Sequence, residues 1–288
     1  MSYRNILVPI FGSAHDRSAL QTAFGLAKQF GAHVEALFVR PSPVSAMPYV
    51  DGDLSGYSAG YLIEEAIKAA DHAQKVAHDT FQKMVDKCAV AVVAEPGARR
   101  EASAELRTVQ GDFAEEIERA SRLSDLVVFG AKSGDVESTN KREAFESALL
   151  SGSRPVLFAP RQATDVLGSR VAIAYDGSAT AAHAVTSSLP FLERAKELHS
   201  FEVTADKAIA LGDLRKYLAL RGLTAKEHAV DPGVKTTAEA LLLAVQAQKC
   251  DLLVLGGYGH SRIREFVLGG VTRHVLRHGA PLAVLMAH

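Results

Sequence analysis

The sequence has no tryptophan and only two cysteines, Cys88 and Cys250. Two cysteines cannot build a disulfide framework, and such usage fits a reducing compartment. No apolar stretch approaches the roughly 20 residues needed to cross a bilayer. The opening residues, MSYRNILVPIFGSAHD, hold too short an apolar run for a signal peptide. An excess of one charge is also missing: Lys and Arg number 32, Asp and Glu 33, for a formal net charge of −1. No global positive charge draws the chain to nucleic acid or to an anionic membrane. The expectation is a soluble cytoplasmic protein with neither of those partners. What is present is ordinary: 48% hydrophobic and 23% charged residues in 288, which argues against a mainly disordered chain. At about 150 residues per domain the length predicts two domains, each large enough to bury a core.

The chain repeats itself. Ile6-Leu7-Val8-Pro9-Ile10-Phe11-Gly12-Ser13 resembles Val171-Ala172-Ile173-Ala174-Tyr175-Asp176-Gly177-Ser178. Asp125 to Gly130 resembles Asp251 to Gly256, and Arg154 to Pro160 resembles Ala280 to Met286. The offset is 165 from Gly12 to Gly177 but 126 for the two later pairs, so the first copy carries 39 extra residues in its middle. Part of the excess is the Pro/Gly/Ser-rich stretch 41–60, read as a loop or flap. The rest lengthens the following helix, where Ile63, Ala66, Ile67, Ala70, Ala73, Ala77, Phe81 and Met84 recur at helical spacing. The join is a short polar stretch, Arg161 to Ser169, which sets the domains at 1–161 and 169–288.

Apolar runs alternate with helical patterns in both copies. The first gives strands near 5–10, 33–39, 89–94, 125–130 and 155–159, with helices near 16–30, 61–87, 108–122 and 140–150. The second gives strands near 170–175, 198–204, 225–230, 251–256 and 281–286, with helices near 179–193, 208–221, 235–248 and 270–278. Runs that are apolar throughout and separated by helices predict buried parallel strands in βαβ units. Right-handed crossovers then predict two α/β domains, each a doubly wound five-stranded parallel sheet. Ligands of such sheets bind at the carboxyl ends of the strands, where strand order reverses.

After its fourth strand the second copy reads Gly256-Gly257-Tyr258-Gly259-His260-Ser261-Arg262-Ile263-Arg264 and continues to Gly269-Gly270-Val271-Thr272. Glycine lets a backbone approach a ligand closely. Unpaired N–H groups at a helix start attract phosphate. His260, Arg262 and Arg264 add positive charge. The segment reads as a polyphosphate cradle or, equally on spacing, as a loop with glycines for its turns.

With these glycines the sequence resembles a tandem universal stress protein, two family domains in one chain. The family motif is Gly, two residues, Gly, nine residues, Gly, then Ser or Thr. Gly256, Gly259 and Gly269 match it, while Gly270 stands where the hydroxyl residue belongs. Thr272 is near enough in sequence to serve as a substitute. The resemblance implies a fold like that of the adenine nucleotide alpha hydrolases. It implies that ATP or a related adenine nucleotide, with or without Mg2+, binds the second domain. Asp176 would contact the adenosine part, and the backbone of Val203 the adenine. Gly256, Gly259, Gly269 and the amides of Gly270 and Val271 would contact ribose and phosphates. Asp176 in Asp-Gly-Ser equally reads as a helix cap. Family domains pair through their last strands, which implies an internal pseudo-dimer joined at Val156, Leu157, Phe158 and Leu282, Val284, Leu285. Two such chains can associate further as a homodimer.

The first copy looks degenerate. Phe11 stands where Asp176 does, no spaced glycines precede its last helix, and Asp135, Glu137 and Glu143 place negative charge where phosphates would sit. His274 and His278 lie four residues apart on the final helix, but a metal needs a third ligand, so no metal site is expected. No nucleophile elbow, Walker A loop or zinc-protease motif is present, and no catalytic residue is assigned. The leading expectation is a stress-response protein in which a bound nucleotide acts as a switch toward an unidentified protein partner. The alternatives are a nucleotide-independent interaction module and a slow ATPase.

Overall fold

The computed structural model describes residues 2–13, 15–42, 56–97, 101–130, 139–160, 162, 166–202, 208–258 and 270–288. The first half runs β1 (Asn5–Ile10), α1 (Asp16–Phe30), β2 (His33–Arg40), α2 (Gly56–Cys88), β3 (Ala91–Val92), β4 (Ser103–Gln110), α3 (Phe113–Ser121), β5 (Leu126–Phe129), α4 (Thr139–Glu146), a π-helical turn (Ser147–Ser151) and β6 (Val156–Phe158). The second runs β7 (Arg170–Ala174), α5 (Ala179–Ser187), α6 (Leu189–Leu192), β8 (Glu197–Glu202), α7 (Ala208–Ala219), β9 (Ala225–Ala229), α8 (Thr237–Ala247), β10 (Leu252–Gly256), α9 (Gly270–His278) and β11 (Ala283–Ala287). An α/β unit thus occurs twice.

Among the described residues the strands form one sheet, not two. Its eleven strands stand in the order β3-β4-β2-β1-β5-β6-β11-β10-β7-β8-β9. Neighbours within each half are parallel. The halves meet antiparallel at β6 and β11, with Val156 opposite Met286, Leu157 opposite Leu285 and Phe158 opposite Val284. Side chains alternate across the sheet, as the period of a strand requires. Ile6 and Val8 of β1 join one buried cluster with Leu20, Phe24, Phe191 and Leu214. Leu7 joins the other with Phe145, Leu149, Leu241 and Val275. Pairing of β1 with β5 stops at Leu7, before Pro9, which has no N–H to donate.

The first half differs from expectation in its third strand. The run at 89–94 forms only β3, two exposed residues at the edge. The place beside β2 belongs to β4, which matches β2 in register over eight residues and places Arg107 2.6 Å from Glu35. Residues 108–110, expected in a helix, therefore belong to β4. The helix starts only after Asp112, whose carboxylate accepts from the Ala114 and Glu115 amides. α2 begins at Gly56, inside the stretch read as a loop, whose residues 43–55 lie outside the described ones. The helix expected over 179–193 is broken at Ser188 into α5 and α6, where Pro190 cannot donate to the preceding turn.

A second contact joins the halves. Tyr3, Phe30 and Phe191 pack ring against ring at 5.2–5.4 Å. The Tyr3 hydroxyl donates to the Ser187 carbonyl at 2.7 Å, and Arg194 lies over Phe30.

On β8 and β9, His199 Nδ1 and His228 Nε2 are hydrogen-bonded at 2.9 Å, one ring nitrogen donating to the other, and His228 stacks on Phe201. Burial and the neighbouring imidazole hold His199 below the usual value of 6.5, and burial with nearby Lys226 does the same for His228. The unfolded chain therefore takes up these protons first. Their stabilising contribution is full above 6.5 and is lost as pH falls from there toward the lowered folded values. The melting temperature should fall between about pH 7.5 and pH 5, and replacing both histidines by Phe should flatten that part of the profile.

Candidate functional site

The switch point of the second half lies where β7 stands between β8 and β10. β7 ends at Ala174, followed by Tyr175, Asp176 and Gly177. Gly177 takes φ +77°, the left-handed region that glycine enters without cost. The turn bears on one of the two roles read for Asp176, that of helix cap. Ser178 is the helix cap, its hydroxyl oxygen accepting from the Ala181 amide at 3.2 Å. Asp176 lies before it, half-buried, and its Oδ1 accepts from the Ser178 amide at 3.0 Å. Burial, and then the charges of Asp213 and Asp176, push the Tyr175 phenol pKa up.

Beside this turn β10 ends at Gly256, paired in register through Leu255 with Ala174. A Cβ on Gly256 would lie 2.6 Å from both the Ala181 nitrogen and Thr180 Oγ1. The first turn of α5 rests directly on the strand end, and only glycine leaves room for it. Gly130 shows the same packing in the first half, where a Cβ would lie 2.3 Å from the His15 carbonyl oxygen. This glycine is therefore required by the fold before any ligand is considered. The Gly257 amide donates to the Ala287 carbonyl at 2.8 Å, and Tyr258 takes φ +58°.

The structure thus brings Asp176 and Gly256 to one corner, against the start of α5. Val203, Gly259 and Gly269 lie outside the described residues. α9 begins at Gly270, which is exposed, and a Cβ there would meet nothing within 4 Å. Val271 is half-buried. Thr272, read as a substitute hydroxyl, is 2% exposed, so its side chain is turned into the protein. Chemically, the corner offers a carboxylate suited to accept from ribose hydroxyls or an exocyclic amine. The first amides of α9 have no partners within the helix and are suited to phosphate oxygens.

The same corner of the first half is filled. Phe11, in the place of Asp176, stacks on Phe113 with centroids 5.5 Å apart and planes within 10°. Asp16 is buried, and its carboxylate accepts from the amides of Phe11 at 3.2 Å and Ser13 at 2.8 Å. Burial raises its pKa despite these bonds. α2 crosses above, so that a Cβ on Gly12 would lie 2.3 Å from the Ala73 carbonyl oxygen. Arg40, at the end of β2, is tied to α2 through Asp71 at 2.6 Å and Gln74 at 2.9 Å.

The universal stress protein family model matches residues 2–153 and 169–288. The chain belongs to the universal stress protein family. Two matches in one chain make the architecture a tandem one. This universal stress protein is 26% identical over 287 residues to the universal stress protein Slr1230 of Synechocystis sp., covering 95% of this chain and 96% of that one. Its fold is similar to that of a universal stress protein of Archaeoglobus fulgidus DSM 4304, at TM-score 0.66 and 19% identity over 98% and 97% of the two chains. It is also similar to a Pseudomonas aeruginosa PAO1 protein of unknown function, at TM-score 0.59 and 14% identity over 99% and 92%. At these identities the two structural likenesses show the fold alone.

Sequence reasoning missed three contributors in this universal stress protein. Ser178 takes the cap, Asp16 occupies the loop amides of the first half, and Tyr258 reaches the other half by donating to Glu146 at 3.1 Å. The Asp-Gly-Ser and Ser-Ala-His-Asp strings carried signals for the first two. Nothing local signals the third. Among the described residues no group of three His, Cys, Asp or Glu could hold a metal, and no helix is long and apolar enough to cross a membrane.

The two glycines should respond differently. Gly256→Ala forces α5 off the strand and should cost about 1–3 kcal/mol in urea unfolding, with or without nucleotide. Gly270→Ser meets open space and should change stability by less than about 0.5 kcal/mol.

Proposed function

We propose that this is a stress-response protein whose second half, residues 169–288, binds ATP or a related adenine nucleotide, with or without Mg2+, as a regulatory switch in the cytoplasm. The observation that carries this reading is the contrast between the two corners. The first is filled by Phe11 on Phe113, by the Asp16 carboxylate and by α2. The second presents Asp176 in a Ser178-capped turn beside Gly256. Asp176 would hold the adenosine part, with the Val203 backbone at the adenine. Gly256, Gly259, Gly269 and the amides of Gly270 and Val271 would hold ribose and phosphates. The first half, residues 1–161, would keep the fold without the site. Each half would be a doubly wound unit, and the β6–β11 pairing supports an intramolecular pseudo-dimer. Two chains would associate further as a homodimer. Nucleotide binding would change the surface offered to a protein partner.

Gly270 and the buried Thr272 favour a second reading, a nucleotide-independent interaction module, because no hydroxyl is presented at the start of α9. Turnover is no part of the first reading, and a slow ATPase would reveal itself as loss of bound ATP over hours with magnesium present.

The test begins with the protein as purified. Denaturation should release an adenine nucleotide identifiable by mass spectrometry. Calorimetric titration of the emptied protein should give one ATP per chain, weakened roughly tenfold by Asp176→Ala. No released nucleotide and no heat at millimolar ATP would leave the interaction module as the better reading.

A further inference from the structure

The segment that leaves β10 does not rest on its own half. Gly257 lies against the first half, where a Cβ on it would come within 3.0 Å of Leu149 Cδ2 in the π-helical turn. Tyr258 follows with φ +58°, a conformation that a side-chain-bearing residue keeps only when its surroundings impose it. Those surroundings belong largely to the first half. The Tyr258 ring stacks on Phe145 of α4 at 6.4 Å and 26°. Its hydroxyl donates to Glu146 Oε1 at 3.1 Å. That same oxygen accepts from Arg142 Nε at 2.9 Å, one turn back on α4, so the acceptor is itself held in place. On the other side, the His288 ring stands edge-on to Tyr258, and its Nδ1–H donates to the Gly257 carbonyl at 3.1 Å.

The internal repeat adds meaning to this contact. With the offset of 126 that relates the two halves here, Phe145 and Glu146 stand at the positions of Val271 and Thr272. In the second half those positions open α9, whereas in the first they close α4, which began at Thr139. The stretch of the first half that corresponds to the phosphate end of the proposed site therefore presents a ring and a carboxylate to the other half. A π-helical turn follows at once, a distortion found preferentially at functional positions.

We infer that the first half is the docking platform for the chain where it leaves β10 at Gly257 and Tyr258, with Tyr258 and Glu146 as positioning residues that fix this exit. The consequence for affinity rests on the nucleotide reading above; the docking itself does not. A fixed exit keeps Gly256 and Gly257 in place beside the Asp176 turn before the ligand arrives, which lowers the ordering cost of binding. A platform that shifts relative to the second half would release it. The half without a site would thus set the affinity of the half with one.

The experiment is a double-mutant cycle in the full chain. Tyr258→Phe removes one hydroxyl and keeps the ring on Phe145, so the fold is not at risk. Glu146→Ala removes the acceptor. Each should weaken ATP binding by roughly three- to tenfold in calorimetry. The double variant should be no weaker than the worse single one, because both remove the same link. Tyr258→Phe should leave the melting temperature unchanged, which separates positioning from general stability. Without nucleotide, both variants should speed hydrogen exchange of the Gly257 amide, read by NMR. An ATP affinity for Tyr258→Phe within twofold of the parent, or two losses that add, would overturn the inference. If the parent binds no adenine nucleotide, the nucleotide reading falls and the exchange rate decides the docking alone. Unchanged Gly257 exchange in Tyr258→Phe then overturns it, and faster exchange sustains it.

Discussion

Three residues of β6 set against three of β11 make one sheet of two halves. Both strands are the last of their unit and are fully buried except for a trace at Phe158. Left apart, each would expose an apolar edge with unpaired amides and carbonyls. Paired, they complete each other's hydrogen bonding and bury Leu157 against Leu285. Because the pairing is antiparallel, the strands of the two halves run in opposite directions. The carboxyl edge of the second half consequently lies beside the segment that enters β6. α4 and the π-helical turn form that segment, which is how Phe145, Glu146 and Leu149 come to meet Gly257 and Tyr258.

From one plan the two halves reach different ends. Each places a glycine where the strand beside its first one ends, Gly130 just after β5 and Gly256 closing β10, and each uses it to seat the helix that follows its first strand. Beyond that shared packing they diverge. In the second half a serine caps the helix, and the aspartate before it accepts from the serine's amide. In the first a buried aspartate inside the helix turns back onto the loop amides, and a phenylalanine replaces the acid. Asp16 and Phe11 answer the loop's hydrogen-bonding and packing needs from within the chain. The long α2, which the second half lacks, completes the closure over Gly12.

Much of this was legible in the residues. The apolar runs of β1, β5, β7 and β10 announce strands buried on both faces, and the shared Gly-Ser ends announce the repeat. The seam was implied by the family resemblance, with the apolar last strands as its physical reason. β4 could not, because Ser103–Gln110 mixes Glu105, Arg107 and Gln110 with its apolar residues, and only pairing with β2 makes it a strand. Its charges are tolerated because Arg107 meets Glu35 across the pair. Gly256 was legible as a motif residue, but its steric duty toward α5 was not. Tyr258 and Glu146 stand 112 positions apart and meet only because β6 and β11 do. Contacts created by tertiary pairing leave no local pattern to read.

Under the proposed function the two halves differ toward an adenine nucleotide, the second holding it and the first not. Hydrogen–deuterium exchange of the whole protein, with and without saturating ATP, tests it most directly. Protection on adding ATP should appear around Asp176, Gly177 and Ser178 and around Gly256 and Gly257. The matching segments of the first half, Phe11 to Ser13 and Phe129 to Gly130, should exchange as before. Equal protection of both corners, or protection in the first alone, would contradict it.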